Sequence, residues 1–301
     1  MTTDTFRDTA RGMLAMAGSA ALVGVTTLIA KVLGVGEPGI AGLHPLQVSA
    51  GRFAFALLAL LVVIALRPSA RPDFVGARWR WHVGRSLCGW LGITSMFAAA
   101  ARMPLAEATA ISFLSPLVTM ALAVLLLKES SEIRKWAGAA LSMAGALILL
   151  QPGTEAFRPS AFLALAAAAF MGTEAIFIKR LSGSEPPLRI LLINNAIGAT
   201  VSALAAATVW TAPAPSQWML LAALGTVMVS AQALFIQAMR LGDASLVIPV
   251  FYMVLVFAAV YDFLLFGVGL SLTALVGAAL IVAGALFIAL TTPSAAHRRR
   301  V

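Results

Sequence analysis

Gly138-Ala-Ala-Leu-Ser-Met-Ala-Gly-Ala-Leu-Ile-Leu149 and Gly277-Ala-Ala-Leu-Ile-Val-Ala-Gly-Ala-Leu-Phe-Ile288 agree in eight of twelve columns. Alanine and leucine are common in this chain, so the agreement gains weight from rarer residues upstream. Gly24 and Lys31 fall over Gly172 and Lys179, Pro45-Leu46 over Pro187-Leu188, and Phe97 and Arg102 over Phe235 and Arg240. The offset drifts from 148 to 138 along the chain, as small loop insertions and deletions produce. The sequence is therefore read as a duplicated unit.

Both copies are oily. Of 301 residues, 61% are apolar and 11% charged, against roughly a quarter charged in a soluble domain. That excludes a soluble domain and a disordered chain. A membrane-crossing helix needs about 20 apolar residues, and such runs occur at 12–33, 46–66, 83–101, 104–127, 135–151, 159–179, 187–210, 217–239, 243–266 and 270–291. Proline, glycine and charge punctuate them, as in Gly-Glu-Pro-Gly (36–39), Gln-Pro-Gly (151–153) and Thr-Ala-Pro-Ala-Pro (211–215). The first run is too long for the apolar region of a cleaved signal peptide and is kept as a helix. The fold class expected is an all-α integral membrane protein of ten transmembrane helices.

Lysine and arginine set the orientation. With the N-terminus inside, 17 of the 21 basic residues fall in inside segments, and only Lys31, Arg102 and Arg158 lie outside; Arg52 is within a span. Both termini are expected in the cytoplasm, in a bacterial inner membrane. The formal charge of +9 thus reads as topology, with no nucleic-acid partner. The Arg-rich 67–85 loop is a secondary candidate for anionic lipid headgroups. Ten spans in two copies make five per copy, an odd number, so the second copy enters the membrane from the opposite side. Inverted repeats of this kind build many secondary transporters around a site near the midplane.

At this point the chain resembles the EamA-type transporters of the drug/metabolite superfamily. The resemblance runs over about residues 13–290 and is carried by Gly24 and Lys31, by Ala-Ala-Arg-Met-Pro-Leu-Ala-Glu-Ala-Thr-Ala (100–110) leading to Pro116, by Leu125-Leu-Leu-Lys-Glu129, by Gly138 and Gly145, and by Ala244-Ser-Leu-Val-Ile-Pro249 and Leu264-Leu-Phe-Gly267. Val268 and Asp262 depart from the family pattern. The resemblance implies that spans 1–4 and 6–9 surround a central cavity while spans 5 and 10 pack away from it. The divisions expected are a cytoplasmic tail (1–11), a first repeat (12–152), a periplasmic linker (153–158), a second repeat (159–291) and a basic cytoplasmic tail (292–301).

Ionisable groups inside spans cost at least about 2.5–3.5 kcal/mol and should face protein or water. Glu174 is the deepest acid, read either as a proton-coupling or substrate-amine site or as structural glue with Asn194. By the repeat, Thr26 falls over Glu174 and Arg52 over Asn194, which predicts two polar layers on opposite sides of the midplane. Arg52 reads as a bidentate partner for a substrate carboxylate or as a snorkelling side chain. Gln232, Trp90 and Tyr252 are candidate cavity residues. Pro116 and Pro249, in corresponding spans, are candidate hinges. Asp262 reads as a solvated terminus, and Lys128, Glu129, Arg134 and Lys135 as a surface ion cluster. Trp79, Trp81, Trp136, Trp210 and Trp218 read as interfacial anchors. The glycine stripes of spans 5 and 10 are expected to pack on each other or to join two copies into a homodimer.

No Walker-type glycine loop is present, so ATP is not the direct energy source. One cysteine, Cys88, and three scattered histidines call for no disulfide, metal or other cofactor. The function expected is secondary transport of a small organic metabolite or drug-like solute by alternating access, with proton coupling as an option. The alternatives are an intramembrane enzyme, for which Cys88 and His82 are poorly placed, and a non-transporting channel or scaffold.

Overall fold

The computed structural model describes residues 2–291 apart from 38, 68, 70, 101–104, 130–131, 152–160 and 267–271. The expected linker at 153–158, the tail at 292–301, Arg102, Arg158 and the side chain of Asp262 lie outside what is described. The helices in chain order are α1 (Thr2–Val35), α2 (Pro45–Leu66), α3 (Trp79–Ala100), α4 (Leu105–Ser112), α5 (Ser115–Leu127), α6 (Ile133–Leu150), α7 (Ala161–Ser182), α8 (Pro187–Ala206), α9 (Pro215–Leu241), the short α10 (Ala244–Val247), α11 (Met253–Phe266) and α12 (Leu272–Thr291). A 3-10 turn, Ile248–Tyr252, joins α10 to α11. Two two-residue strands, Gly36–Glu37 and Ile40–Ala41, pair as a small hairpin after α1. The protein is otherwise all-α.

Among the described residues, seven helices are long and apolar enough to cross a membrane, and two shorter apolar helices, Ser115–Leu127 and Leu272–Ile288, accompany them. The segment is a multi-pass membrane protein by that measure. Two boundaries differ from the sequence reading. The polar stretch expected as an N-terminal tail is helical from Thr2 onward and continuous with α1. Likewise α3 begins at Trp79, four residues before the apolar run, because His82 and Arg85 are covered by protein and the exposed Arg80 points away from it, so none of the three interrupts the helix.

The main pairings are α1 with α9, α3 with α7, α2 with α8 and α9, and α6 with α12; smaller ones join α1 to α11, α5 to α7 and α3 to α8. The described residues of the loops at 67–78, 128–132, 183–186 and 242–243 gather at one end of the bundle, which carries Arg67, Arg71 and Arg78 and is called the basic end below. The hairpin after α1 and the 207–214 loop form the other end. There Gln47 Nε2 donates to the Thr211 carbonyl at 2.6 Å, and Gln217 Nε2 to the Ala41 carbonyl at 2.8 Å. Covered by the glutamine side chains, each loop carbonyl takes a partner in place of water.

The α6–α12 contact consumes the glycine stripes. A Cβ on Gly145 would stand 2.6 Å from the Gly277 carbonyl oxygen, and one on Gly277 2.8 Å from that of Gly145. Of the two expected uses of these stripes, packing of one helix on the other is the one seen. A second copy of the chain would have to meet outer faces of α6 and α12, such as Leu147 or Leu290, which are exposed.

The spans holding Pro116 and Pro249 are broken where a continuous helix was expected. A turn at 113–114 separates α4 from α5, with Pro116 in the first turn of α5, and Pro249 sits within the 3-10 turn. Proline lacks the N–H that would continue an α-helical ladder, so it starts new segments here. The two breaks touch. Tyr252 Oη donates to the Phe113 carbonyl at 2.8 Å, and the two rings stack with centroids 5.8 Å apart. Tyr252 is wholly buried. Removing its hydroxyl leaves a part-buried carbonyl without this donor, so Tyr252→Phe should cost about 1 kcal/mol, read as a lower melting temperature in detergent. An unchanged melting curve would show that the two breaks are not tied through this bond.

Candidate functional site

A cavity of about 250 Å³ lies inside the bundle, walled by α1, α2, α3, α5, α7, α9 and the 3-10 turn. Its lining repeats at helical spacing: Arg85, Gly89 and Ile93 on α3; Met171, Glu174, Ala175 and Ile178 on α7; Met228, Ala231, Gln232 and Phe235 on α9. Each set is one face of one helix. Arg52 enters from α2, Ser19 and Val23 from α1, and Ser115, Pro116 and Thr119 from α5. Helices α6 and α12 stay outside, and so does α8.

The charged groups sit together. Arg85 is 1% exposed; its Nε is 3.8 Å from Glu174 Oε1, and one terminal nitrogen donates to the Ile190 carbonyl at 3.1 Å. Arg85 Nε is buried and has no hydrogen-bond partner among the described residues. Glu174 reaches this point because position 89 is glycine: a Cβ there would stand 2.9 Å from the carboxyl carbon. Arg52 lines the same cavity with its guanidinium 4.2 Å from the Phe53 ring centroid. Helix α2 crosses α9 closely at Gly225, where a Cβ would meet the Arg52 carbonyl at 2.8 Å.

Behind the cavity wall, α8 supplies amides. Asn194 Oδ1 accepts from Ser86 Oγ at 3.1 Å, and Asn195 Nδ2 donates to the Leu191 carbonyl at 2.8 Å and to Gln232 Oε1 at 3.4 Å. Ser19 Oγ donates to the Ala231 carbonyl at 2.9 Å. The site is thus a small chamber with an apolar wall, a few convergent polar groups and one carboxylate between two guanidiniums, the usual composition of a small-molecule site.

The basic end closes beneath it with side chains that satisfy helix ends. Glu129 accepts from the backbone N–H groups of Ala244 and Ser245, each at 2.9 Å, and from Ser245 Oγ at 2.7 Å. A carboxylate at a helix start meets donors that have no partner inside the helix. Lys179 Nζ donates to the carbonyls of Met239 and Gly242 at the end of α9. Lys135 is 1% exposed, 3.1 Å from Ser245 Oγ and 3.7 Å from Asp243. The expected surface ion cluster at 128–135 is therefore partly an internal one: Glu129 and Lys135 turn inward and join the first half of the chain to α10. Nearby, the buried His82 and Glu185 approach to 2.7 Å, with Arg189 at 3.8 Å from the same carboxylate.

A family model for EamA-like transporters matches this chain twice, over residues 10–151 and 158–290. The chain belongs to the EamA-like transporter family. Among curated relatives, this EamA-like chain is 29% identical to the S-adenosylmethionine uptake transporter of Rickettsia bellii over 82% of this chain and 84% of that one. It is 26% identical to the riboflavin transporter of Vibrio cholerae over 86% and 87% of the two chains. A solved crystal structure, 21% identical, superposes over 97% of this chain and 99% of its own with a TM-score of 0.79, a likeness of fold alone.

Of the residues picked from sequence, Glu174, Arg52, Gln232 and Pro116 line the chamber. Arg52 and Glu174 share one cavity, where two separated polar layers were expected. Thr26 is 3% exposed and donates to the Val23 carbonyl of its own helix at 2.8 Å, away from the chamber. Asn194 stands behind it, and Tyr252, Trp90 and Pro249 do not line it. Trp79, Trp210 and Trp218 are exposed as interfacial anchors should be, whereas Trp81 packs on Phe177 with Arg180 4.7 Å from its ring centroid. Sequence reasoning missed Arg85, which it placed in a loop. The spacing Arg85, Gly89, Ile93 was the available signal, since positions four apart share a helix face.

Proposed function

We propose that this EamA-like protein is a secondary transporter of a small organic solute, working by alternating access in the bacterial inner membrane. The observation that carries the reading is the chamber: charged and polar groups at mid-bundle depth, drawn from helices of both matched repeats. Such groups are costly in hydrocarbon and mark solute or ion paths. The relatives named for uptake of S-adenosylmethionine and of riboflavin support a metabolite-sized cargo.

Ten crossings in two inverted five-helix repeats, with both termini in the cytoplasm, are part of this proposal. The pairings support it. If the first repeat runs through α1–α6 and the second through α7–α12, exchanging them turns the α1–α9 contact into α3–α7, and α1–α11 into α5–α7. The α2–α8 and α6–α12 contacts map onto themselves. Two repeats related by a pseudo-two-fold axis would pair in this way. The broken helices at α4–α5 and α10–α11 exchange as well, and breaks of this kind border the site or hinge in transporters. Pro116 and Pro249 are the hinge residues on this account. Glu174 is the candidate for proton coupling, because a carboxyl facing the chamber can take up and release a proton as the chamber opens to either side.

The test is flux. Purified protein in liposomes should show saturable uptake from a panel of labelled amino acids, nucleosides and vitamins, measured with and without a pH gradient. Absence of saturable flux across the panel would contradict the reading. Turnover of a lipid or peptide in its place would favour an enzyme.

A further inference from the structure

Three ionisable side chains line the chamber among the described residues: Arg52, Arg85 and Glu174. With Glu174 ionised, the wall carries one positive charge in excess. The three are not equivalent. Arg85 has Glu174 at 3.8 Å and the Ile190 carbonyl at 3.1 Å, so the carboxylate and a backbone oxygen already answer its charge. Arg52 has neither a hydrogen bond nor an ion pair among the described residues, and only the Phe53 ring at 4.2 Å lies against its guanidinium. A ring face holds the planar fork in place without using its N–H donors. Glu174 acts on both guanidiniums but lies within ion-pair distance of Arg85 alone, so the excess positive charge falls chiefly on Arg52, whose donors are free to meet an occupant.

The rest of the chamber is apolar. Phe235 and Phe251 meet edge to face with centroids 5.8 Å apart, and Met171 lies on the wall with them. A volume of about 250 Å³ suits a solute the size of an amino acid. We propose that the cargo is a small organic monocarboxylate with a flat or aromatic body, its carboxylate held bidentately by Arg52 and its body against Phe235 and Phe251. The proposal rests on the transport reading of the same chamber. One carboxylate brings the wall to neutrality and uses the fork geometry of the guanidinium. A neutral solute leaves the excess positive charge of the wall uncompensated, and a cationic one adds like charge where, among the described residues, Glu174 is the one carboxylate and is shared by two guanidiniums.

Phenylacetate, phenylacetamide and phenethylamine carry the same ring and differ chiefly in charge. Binding and flux of each are measured on the full chain in liposomes. Phenylacetate should bind roughly tenfold or more tightly than the other two, the scale of one charge-assisted hydrogen-bonded pair. Arg52→Gln should erase that preference, and Arg52→Lys should keep part of it because the charge remains. Equal binding of the amide or the amine, binding of none of the three, or a preference that survives Arg52→Gln in folded protein would overturn the proposal. If Arg52→Gln does not fold, the wild-type ranking together with Arg52→Lys decides. Saturable flux of the amide or amine equal to that of the acid keeps transport and overturns the carboxylate; binding of phenylacetate with no flux under any gradient keeps the carboxylate site and removes transport.

Discussion

Glu174→Gln is expected to lower saturable uptake at least about tenfold and to abolish any acceleration by a pH gradient. The amide keeps the size and shape of the side chain, so packing against Gly89 is retained, but the charge is lost. Arg85, 1% exposed and with Nε 3.8 Å from the carboxylate, then loses its nearest anion. Removing one partner of a buried pair costs about 3–5 kcal/mol when the survivor is fully desolvated. The Glu174 side chain is 23% exposed, so a stability cost nearer about 2 kcal/mol is the scale for the fold, read as a lower melting temperature. The tenfold fall in uptake is a separate effect, about 1.4 kcal/mol in the transport barrier, from the missing charge in the chamber. The same variant cannot exchange a proton. Uptake should therefore respond to an imposed gradient in the wild type and not in the variant. A folded Glu174→Gln protein with the wild-type gradient response would remove Glu174 from the coupling role.

Gly145→Val should have the largest effect on the fold. Lipid tails are as apolar as leucine, so helices in a bilayer are held by close packing and not by burial of oil. At the α6–α12 contact even a Cβ on Gly145 would stand 2.6 Å from the Gly277 carbonyl and 2.8 Å from the Ile281 nitrogen. Both neighbours are backbone and cannot rotate away. Valine adds two methyl groups to that clash, and overpacking of this kind costs at least about 1–3 kcal/mol. The expected readout is loss of monodisperse protein on size exclusion and a sharply lower melting temperature. Gly145→Val protein that extracts and melts like the wild type would mean that α6 and α12 do not meet in this way.

These two positions also show how much the sequence could tell. The glycine stripes were legible because small residues recur every seven positions in both halves, and only close helix packing explains such a stripe in an apolar run. Glu174 and Arg52 were legible because a charge within an apolar run needs a polar setting. Arg85 was not. It follows Arg78, Arg80 and His82, and a run of basic residues reads as a loop until the fold shows α7 and α8 covering it. Thr26 and Tyr252 misled because each hydroxyl is already spent on a carbonyl, that of Val23 one turn back on the same helix for Thr26 and that of the distant Phe113 for Tyr252. The helix breaks at 113–114 and 248–252 were visible as prolines, yet whether a proline bends a helix or restarts one depends on what packs beside it. Glu129 looked solvated because α10, whose first N–H groups it meets, lies more than a hundred residues away in sequence.

Alternating access requires this chamber to open to each side of the membrane in turn. Cys88 is the sole cysteine, so Cys88→Ala gives a background in which Met228→Cys places one thiol on the chamber wall. Labelling with a membrane-impermeant maleimide, applied to either face of sealed vesicles of known orientation, is the direct measurement. Modification from both faces is expected, with a transported solute slowing both reactions. Modification from a single face under every condition, or from neither, would contradict it.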